Sequence, residues 1–180
     1  TFFDRVPESW LIEGKANRCA HCGTLMHPHP NRKQFSKGRC PIRQCNSCYP
    51  PKVSEALDPK HHRLLVAKPQ ILTYWTGPGI DELAIFDAAK NQGLKAELYP
   101  ESDLCDVSLN DYAVGIDAKS YISPVSLALR LNQSIGGLGY YRRRIVAVSD
   151  QLIADNPSYL STLQSTLSKK GDPETLEILS

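Results

Sequence analysis

The 180-residue chain is short of several things, and each shortage excludes something. No run approaches the roughly 18 consecutive apolar residues that would span a bilayer. The N-terminus also lacks the basic, apolar and small-residue succession of a secretory leader. A soluble, cytoplasmic protein without membrane contact is therefore the expectation. Met26 is the only methionine and residue 1 is Thr, so the chain is expected to begin inside a longer gene product. Between Arg18 and Pro51 Val, Ile and Leu are nearly absent, which rules out a self-made hydrophobic core there. At this length, with 41% hydrophobic residues, one modest core and one small satellite module are the most the chain can support.

Net charge is only +2, yet it is unevenly placed. Residues 1–70 hold twelve Lys and Arg against five Asp and Glu, and all five histidines; residues 71–180 hold nine against fourteen. A basic front and an acidic back suit a polyanion-binding module joined to an acid-lined metal site.

The core-poor stretch is where five of the six cysteines lie: Cys19 and Cys22 two residues apart, then Cys40, Cys45 and Cys48. Thiolates at knuckle spacing are what tetrahedral Zn²⁺ needs, and its binding energy can replace a missing core. Four of these five are the expected ligands. Cys19 and Cys22 form the firm pair, completed by Cys40 with Cys45 or Cys45 with Cys48, while His21, His27 or His29 could substitute for one thiolate. Four thiolates leave no open position, so this zinc is structural. A disulfide framework fits less well, because there is no secretory leader and Cys105 stands alone in a strand-like run.

The expected division is 1–53, a lead-in segment and zinc-binding module, and 54–180, the main domain. Ser54 to Trp75 reads as helical in places, interrupted by Pro59 and Pro69. Gly77-Pro78-Gly79 reads as a break before a well-buried helix from Ile80 to Gln92, closed by Gly93. Strand-like runs follow at 95–99, 104–109 and 112–119. Ser123-Pro124 opens a helix to about Leu131, with serine as N-cap and proline in the first turn. The glycines at 136, 137 and 139 mark a loop, 144–148 is a buried strand, and 150–154 and 157–169 are short helices. The order describes an α/β fold, a mixed central sheet flanked by helices.

Tyr112-Ala-Val-Gly-Ile-Asp-Ala-Lys119 carries the sharpest chemical signal. Strand alternation puts Asp117 and Lys119 on one face with Gly115, and Val114, Ile116 and Ala118 on the other. With Asn110-Asp111 as a two-residue turn, Asp106 falls opposite Gly115, on the same face as Asp117 and diagonal to it at roughly 7 Å or less. A three-residue loop would reverse that parity. Paired carboxylates suit Mg²⁺ or Mn²⁺, and Lys119 would meet the same phosphate or attacking water. Cys105 alternates away from Asp106 as a small core residue. Tyr141, Arg142 and Arg143 combine a ring with fixed positive charge and are candidates for nucleic-acid contact.

Here the sequence resembles the PD-(D/E)xK superfamily, with Asp106 matching the first acid and Asp117-Ala118-Lys119 the (D/E)xK element. In particular it is similar to the restriction-endonuclease-like proteins encoded beside prokaryotic PIWI proteins of the pPIWI-RE type. The likeness rests on the cysteine module, Gly77-Pro-Gly-Ile-Asp-Glu82, Tyr99-Pro-Glu-Ser-Asp-Leu-Cys-Asp106, Gly115-Ile-Asp-Ala-Lys119 and Arg142-Arg-Arg-Ile-Val-Ala-Val148. It implies a restriction-endonuclease-like core and metal-dependent endonuclease activity on DNA in defence against foreign DNA, with a PIWI-type protein and a helicase as partners. It also implies a further acid on the helix before the first strand, the place Glu82 occupies, with Asp81 the adjacent alternative. The rival expectation is a non-catalytic, zinc-containing module that binds nucleic acid or a partner.

Overall fold

The computed structural model describes residues 2–167 and 176–180, and the chain forms two compact units, Thr1–Ile80 and Asp81–Ser180. In the first, strand β1 (Phe3–Arg5) pairs antiparallel with β4 (Leu65–Ala67), and β2 (Ala16–Cys19) with β3 (Val53–Leu57). Residues 54–57 and 65–67, which the sequence suggested lay in a partly helical stretch of the following domain, thus belong to strands tied to the N-terminal segment. The short helix α1 (Arg43–Cys48) completes the unit. One buried cluster consists of Cys19, Met26, Cys40, Ile42, Cys45 and Leu72, so half of that cluster is thiols.

Gly77-Pro78-Gly79 does not break the chain, contrary to expectation. The one-turn α2 (Pro69–Ile71) runs through a π-helical turn, Leu72–Thr76, into α3 (Gly77–Asn91), of which Asp81 onward belongs to the second unit. The Gly77 amide reaches back five residues to the Leu72 carbonyl. This widening explains how the helix passes Pro78, whose ring would meet the carbonyl four residues earlier in a regular α-helix. Gly93, at φ 76°, ends the helix region as expected.

The second unit is a five-stranded sheet in the order β5 (Ala96–Leu98), β6 (Val107–Leu109), β7 (Val114–Lys119), β8 (Arg143–Val148), β9 (Leu176–Leu179). The first three are antiparallel neighbours, and β7, β8 and β9 run parallel. Between β5 and β6 lies α4 (Pro100–Asp103), a turn with left-handed residues inside it. The β7–β8 crossover carries α5 (Pro124–Gln133), started where expected by the Ser123 hydroxyl accepting from the Ser126 amide. The β8–β9 crossover carries α6 (Asp150–Asp155) and α7 (Tyr159–Thr166). The expected helix beyond 167 lies outside the described residues, and β9 was not anticipated.

Both crossovers step along the sheet in the same direction, so right-handed connections place α5, α6 and α7 on one face. There Leu127, Ala128, Leu131, Leu152, Tyr159 and Leu163 pack on Val146 and Val148. On the other face Ile85, Phe86 and Ala89 of α3 pack on Val107, Ile116 and Ile145. Only that stripe of α3 is covered. Leu83 is exposed, so the expectation of a well-buried helix fails.

Gly115 is required by a ring. A Cβ there would lie 2.5 Å from Cδ2 of Tyr141, which is buried over the strand. Gly115→Ala is expected to destabilise the protein by about 1–3 kcal/mol through overpacking, read as a lower urea midpoint at unchanged slope.

Candidate functional site

The β6–β7 connection decides which carboxylates meet. A four-residue loop, 110–113, replaces the expected two-residue turn, with Asn110, Asp111 and Tyr112 all left-handed at φ 52°, 55° and 67°. Asn and Asp tolerate that region because their short polar side chains bond locally. Lys95 steadies the loop by pairing with Asp111 and accepting from the Asn110 amide through its carbonyl. Leu109 opposes Val114 and Val107 opposes Ile116. Two extra loop residues keep the parity but slide the register by one pair, so Asp106 continues the ladder opposite Asp117 rather than Gly115.

The two acids are interlocked through backbone. The Ala118 amide donates to Asp106 Oδ2 at 2.7 Å, and the Asp106 amide to Asp117 Oδ1 at 3.3 Å. Lys119 Nζ lies 3.1 Å from Asp117 Oδ2 and 3.8 Å from Asp106 Oδ2. Burial pushes the Asp106 carboxyl up to about 6; Lys119 opposes this, while Asp117 and Glu82 add to it. Burial also pulls on the Lys119 ammonium, but Asp117 and Asp106 outweigh it, and its pKa ends above the ordinary lysine value.

Glu82 is buried near the start of the second unit's share of α3, and its carboxylate accepts the Tyr99 hydroxyl at 2.5 Å. Among the described residues, only four cysteines bring three or more His, Cys, Asp or Glu ligand atoms within 4.8 Å of one another. Glu82, Asp106 and Asp117 therefore do not close to that distance. Glu82 acts on Asp106 and Lys119 through its charge. Asp81 instead accepts the Ser120 hydroxyl at 2.8 Å, joining α3 to the end of β7. A cavity of about 240 Å³ opens there, with Asp81, Lys119, Ser149 and Asp150 in its wall.

Tyr99, which the sequence offered only as the first residue of a family-like motif, starts a run of left-handed backbone: Tyr99, Glu101, Ser102 and Asp103 have φ of 50°, 48°, 64° and 87°. Each such residue costs on the order of 1 kcal/mol or more. The run is pinned by the Tyr99 amide donating to the Asp106 carbonyl, by the Tyr112 hydroxyl on Glu101, and by Gly137, whose Cβ would lie 2.0 Å from the Leu104 carbonyl. The glycine-rich stretch, a 3-10 turn over Gly136–Tyr140, thus backs the segment that presents Asp106. Cys105 is buried in the core as expected.

The nucleic-acid candidates do not join this cluster. Tyr141 is buried under the sheet and offers no face to a base. Arg143 is engaged by Glu177 in a bidentate pair at 2.6–2.7 Å, and Arg142 is exposed. Asp117 pairs with Val146, which places both arginines roughly 10–13 Å back along β8 at 3.3 Å per residue.

In the first unit Cys19, Cys22, Cys40 and Cys45 gather their sulfurs within 4.8 Å of one another. The Cys19–Cys45 and Cys22–Cys40 separations are 3.6 and 3.5 Å. These are too long for a disulfide and close to the roughly 3.8 Å edge of a Zn–S₄ tetrahedron. The Cys40 thiol, bonded to Cys22, holds the Cys22 sulfur down to about 4; burial pushes Cys45 up to about 12. Four crowded sulfurs cannot all ionise without a cation among them, so the cluster could hold a structural metal ion such as zinc. Cys48 lies outside it and is exposed. His27 lies tilted against Trp10 and His21 stacks on Tyr49, and neither joins the sulfurs.

A family model described as REase associating with pPIWI_RE matches residues 79–179, which include every strand of the second unit and all of Glu82, Asp106, Asp117 and Lys119. The chain belongs to that family. The match leaves out the cysteine cluster. No curated protein and no solved structure matches the chain.

Two outcomes follow. Metal analysis is expected to find one zinc per chain, lost in Cys40→Ser and Cys45→Ser but kept in Cys48→Ser; dependence on Cys48 would overturn the ligand assignment. Burial raises the folded Asp106 pKa above its unfolded value, so the ionised carboxylate opposes folding above about pH 6, and protonation relieves this below it. In buffer without Mg²⁺ or Mn²⁺, Asp106→Asn should therefore melt at or above the wild-type temperature at pH 8, the difference shrinking as pH falls through about 6.

Proposed function

We propose that the second unit is a divalent-metal-dependent deoxyribonuclease with a restriction-endonuclease-like, PD-(D/E)xK core, and that the first unit carries a structural zinc. The observation that carries this reading is the meeting of Asp106, Asp117 and Lys119 at one end of β7, inside the segment matched by the family of REases. The donor set fits a hard cation: two carboxylates, one on β7 and one just ahead of β6, partly withdrawn from water, each oriented by a backbone amide. Asp106 and Asp117 would hold Mg²⁺ or Mn²⁺. When bound, the ion supplies positive charge to a phosphate oxygen and acidifies a water.

The chain's own groups do the rest. Asp106, held near pH 6 by burial, gives up its proton to become a ligand in neutral solution. Lys119 stays protonated and places a fixed ammonium beside both acids, where it can stabilise charge developing on the scissile phosphate. Glu82, tied to Tyr99, raises the negative field from the α3 side without competing for close contact. By the family's description the natural setting is association with a pPIWI-type protein. With a helicase, this would serve prokaryotic defence against foreign DNA.

Asp117→Ala and Lys119→Ala are each expected to reduce Mn²⁺-dependent plasmid cleavage by about a hundredfold or more, with zinc content and thermal melting retained. Equal cutting by the wild type and both variants would overturn the assignment of these residues, and none by any of them with the pPIWI partner present would leave a binding module without catalysis.

A further inference from the structure

The first unit has a surface that the acid site does not use. Tyr74 and Trp75, adjacent on the π-helical turn, are 74% and 73% exposed. Phe2 and Phe3, at the start of β1, are 67% and 52% exposed. The β1–β4 register pairs Phe3 with Ala67 and Arg5 with Leu65, which puts these four on one face of the ribbon, with Phe3, Arg5 and Leu65 exposed and Ala67 partly buried against the cysteine core, while Asp4 and the buried Val66 take the other face. The Lys68 amide donates to the Phe2 carbonyl, and the helical run to Trp75 starts one residue later. Seven residues of helix rise only about 10 Å, so the backbone that carries Tyr74 and Trp75 stays within roughly that distance of Lys68, beside Phe2. At the far end of the ribbon, Arg63 follows His61 and His62 in an exposed loop.

We propose that this face is a platform for single-stranded DNA. Four large aromatic side chains left in water mark a contact surface, since single soluble chains rarely leave such rings together uncovered. The charge selects the occupant. The unit carries twelve Lys and Arg against five Asp and Glu, all within residues 1–70, an excess that matches a run of phosphates. Exposed rings in a unit rich in cations are what stacks unpaired bases and tracks a backbone, whereas a duplex hides its base faces. The choice of DNA over RNA rests on the deoxyribonuclease reading. Binding itself does not, because it needs neither Asp117 nor Mn²⁺.

The test uses the full zinc-loaded chain carrying Asp117→Ala, without Mn²⁺, and fluorescein-labelled (dT)20, (U)20 and a 20-base-pair duplex followed by anisotropy. (dT)20 should bind most tightly and quench tryptophan fluorescence. The double variant Tyr74→Ala/Trp75→Ala should weaken (dT)20 about tenfold or more, and Tyr74→Phe/Trp75→Phe should retain it, because Phe still stacks. Arg5→Ala and Lys68→Ala should each lower the slope of log affinity against log salt by about 0.7. Unchanged zinc content and melting in the alanine variants exclude misfolding. The proposal is overturned if (dT)20 does not bind, if the double alanine variant binds it as well as wild type, if (U)20 or duplex binds as tightly, or if sedimentation shows that the rings bury themselves in a second copy of the chain. Plasmid cleavage with intact Asp117 is scored separately, so loss of either reading leaves the other standing.

Discussion

The bond from the Ala118 amide to the Asp106 carboxylate is the point on which the acid cluster turns. It exists only because β6 and β7 are paired so that residue 106 falls beside residue 117. A shift of one residue in that ladder would carry Asp106 to the other face of the sheet. Lys119 would then face a single acid, and the burial that raises the Asp106 pKa would act on a different side chain. The register is fixed from both directions. Below it, Val107 and Ile116 are buried together against α3; above it, the 110–113 loop closes with three left-handed residues pinned by Lys95.

The same region stores conformational energy that the packed layers must offset. Four left-handed residues precede Asp106, and a charged carboxylate and ammonium are held mostly out of water. The compensation comes from close fits, in which Tyr141 fills the space over Gly115 and Gly137 lies against the Leu104 carbonyl. Such fits tolerate little change, because a well-packed interior resists even one added methyl. Strain of this kind, sitting beside converging charges, is the usual mark of a site whose geometry matters more than its stability.

The first unit follows a different economy. Thiols make up half of its main buried cluster, and a metal ion held there would couple its binding to folding. Its exposed aromatics and basic excess are features of a surface, whereas the second unit's acids are features of an interior edge.

The sequence alone carried whatever depends on neighbours along the chain. Alternation put Asp117 and Lys119 on one face, Ser123-Pro124 marked the start of α5, and the Cys19–Cys22 spacing pointed to two members of the cysteine cluster. The family resemblance came from the same short motifs. What it could not carry depends on pairing across space. The loop length that puts Asp106 opposite Asp117, the choice of Cys40 and Cys45 over Cys48, the Tyr99 bond to Glu82 and the burial of Tyr141 are all decided by tertiary contacts. β9 is a further case, since four residues have too little pattern to declare a strand until β8 offers its edge. Local sequence sets which way a side chain points, but only the closed fold sets what it points at.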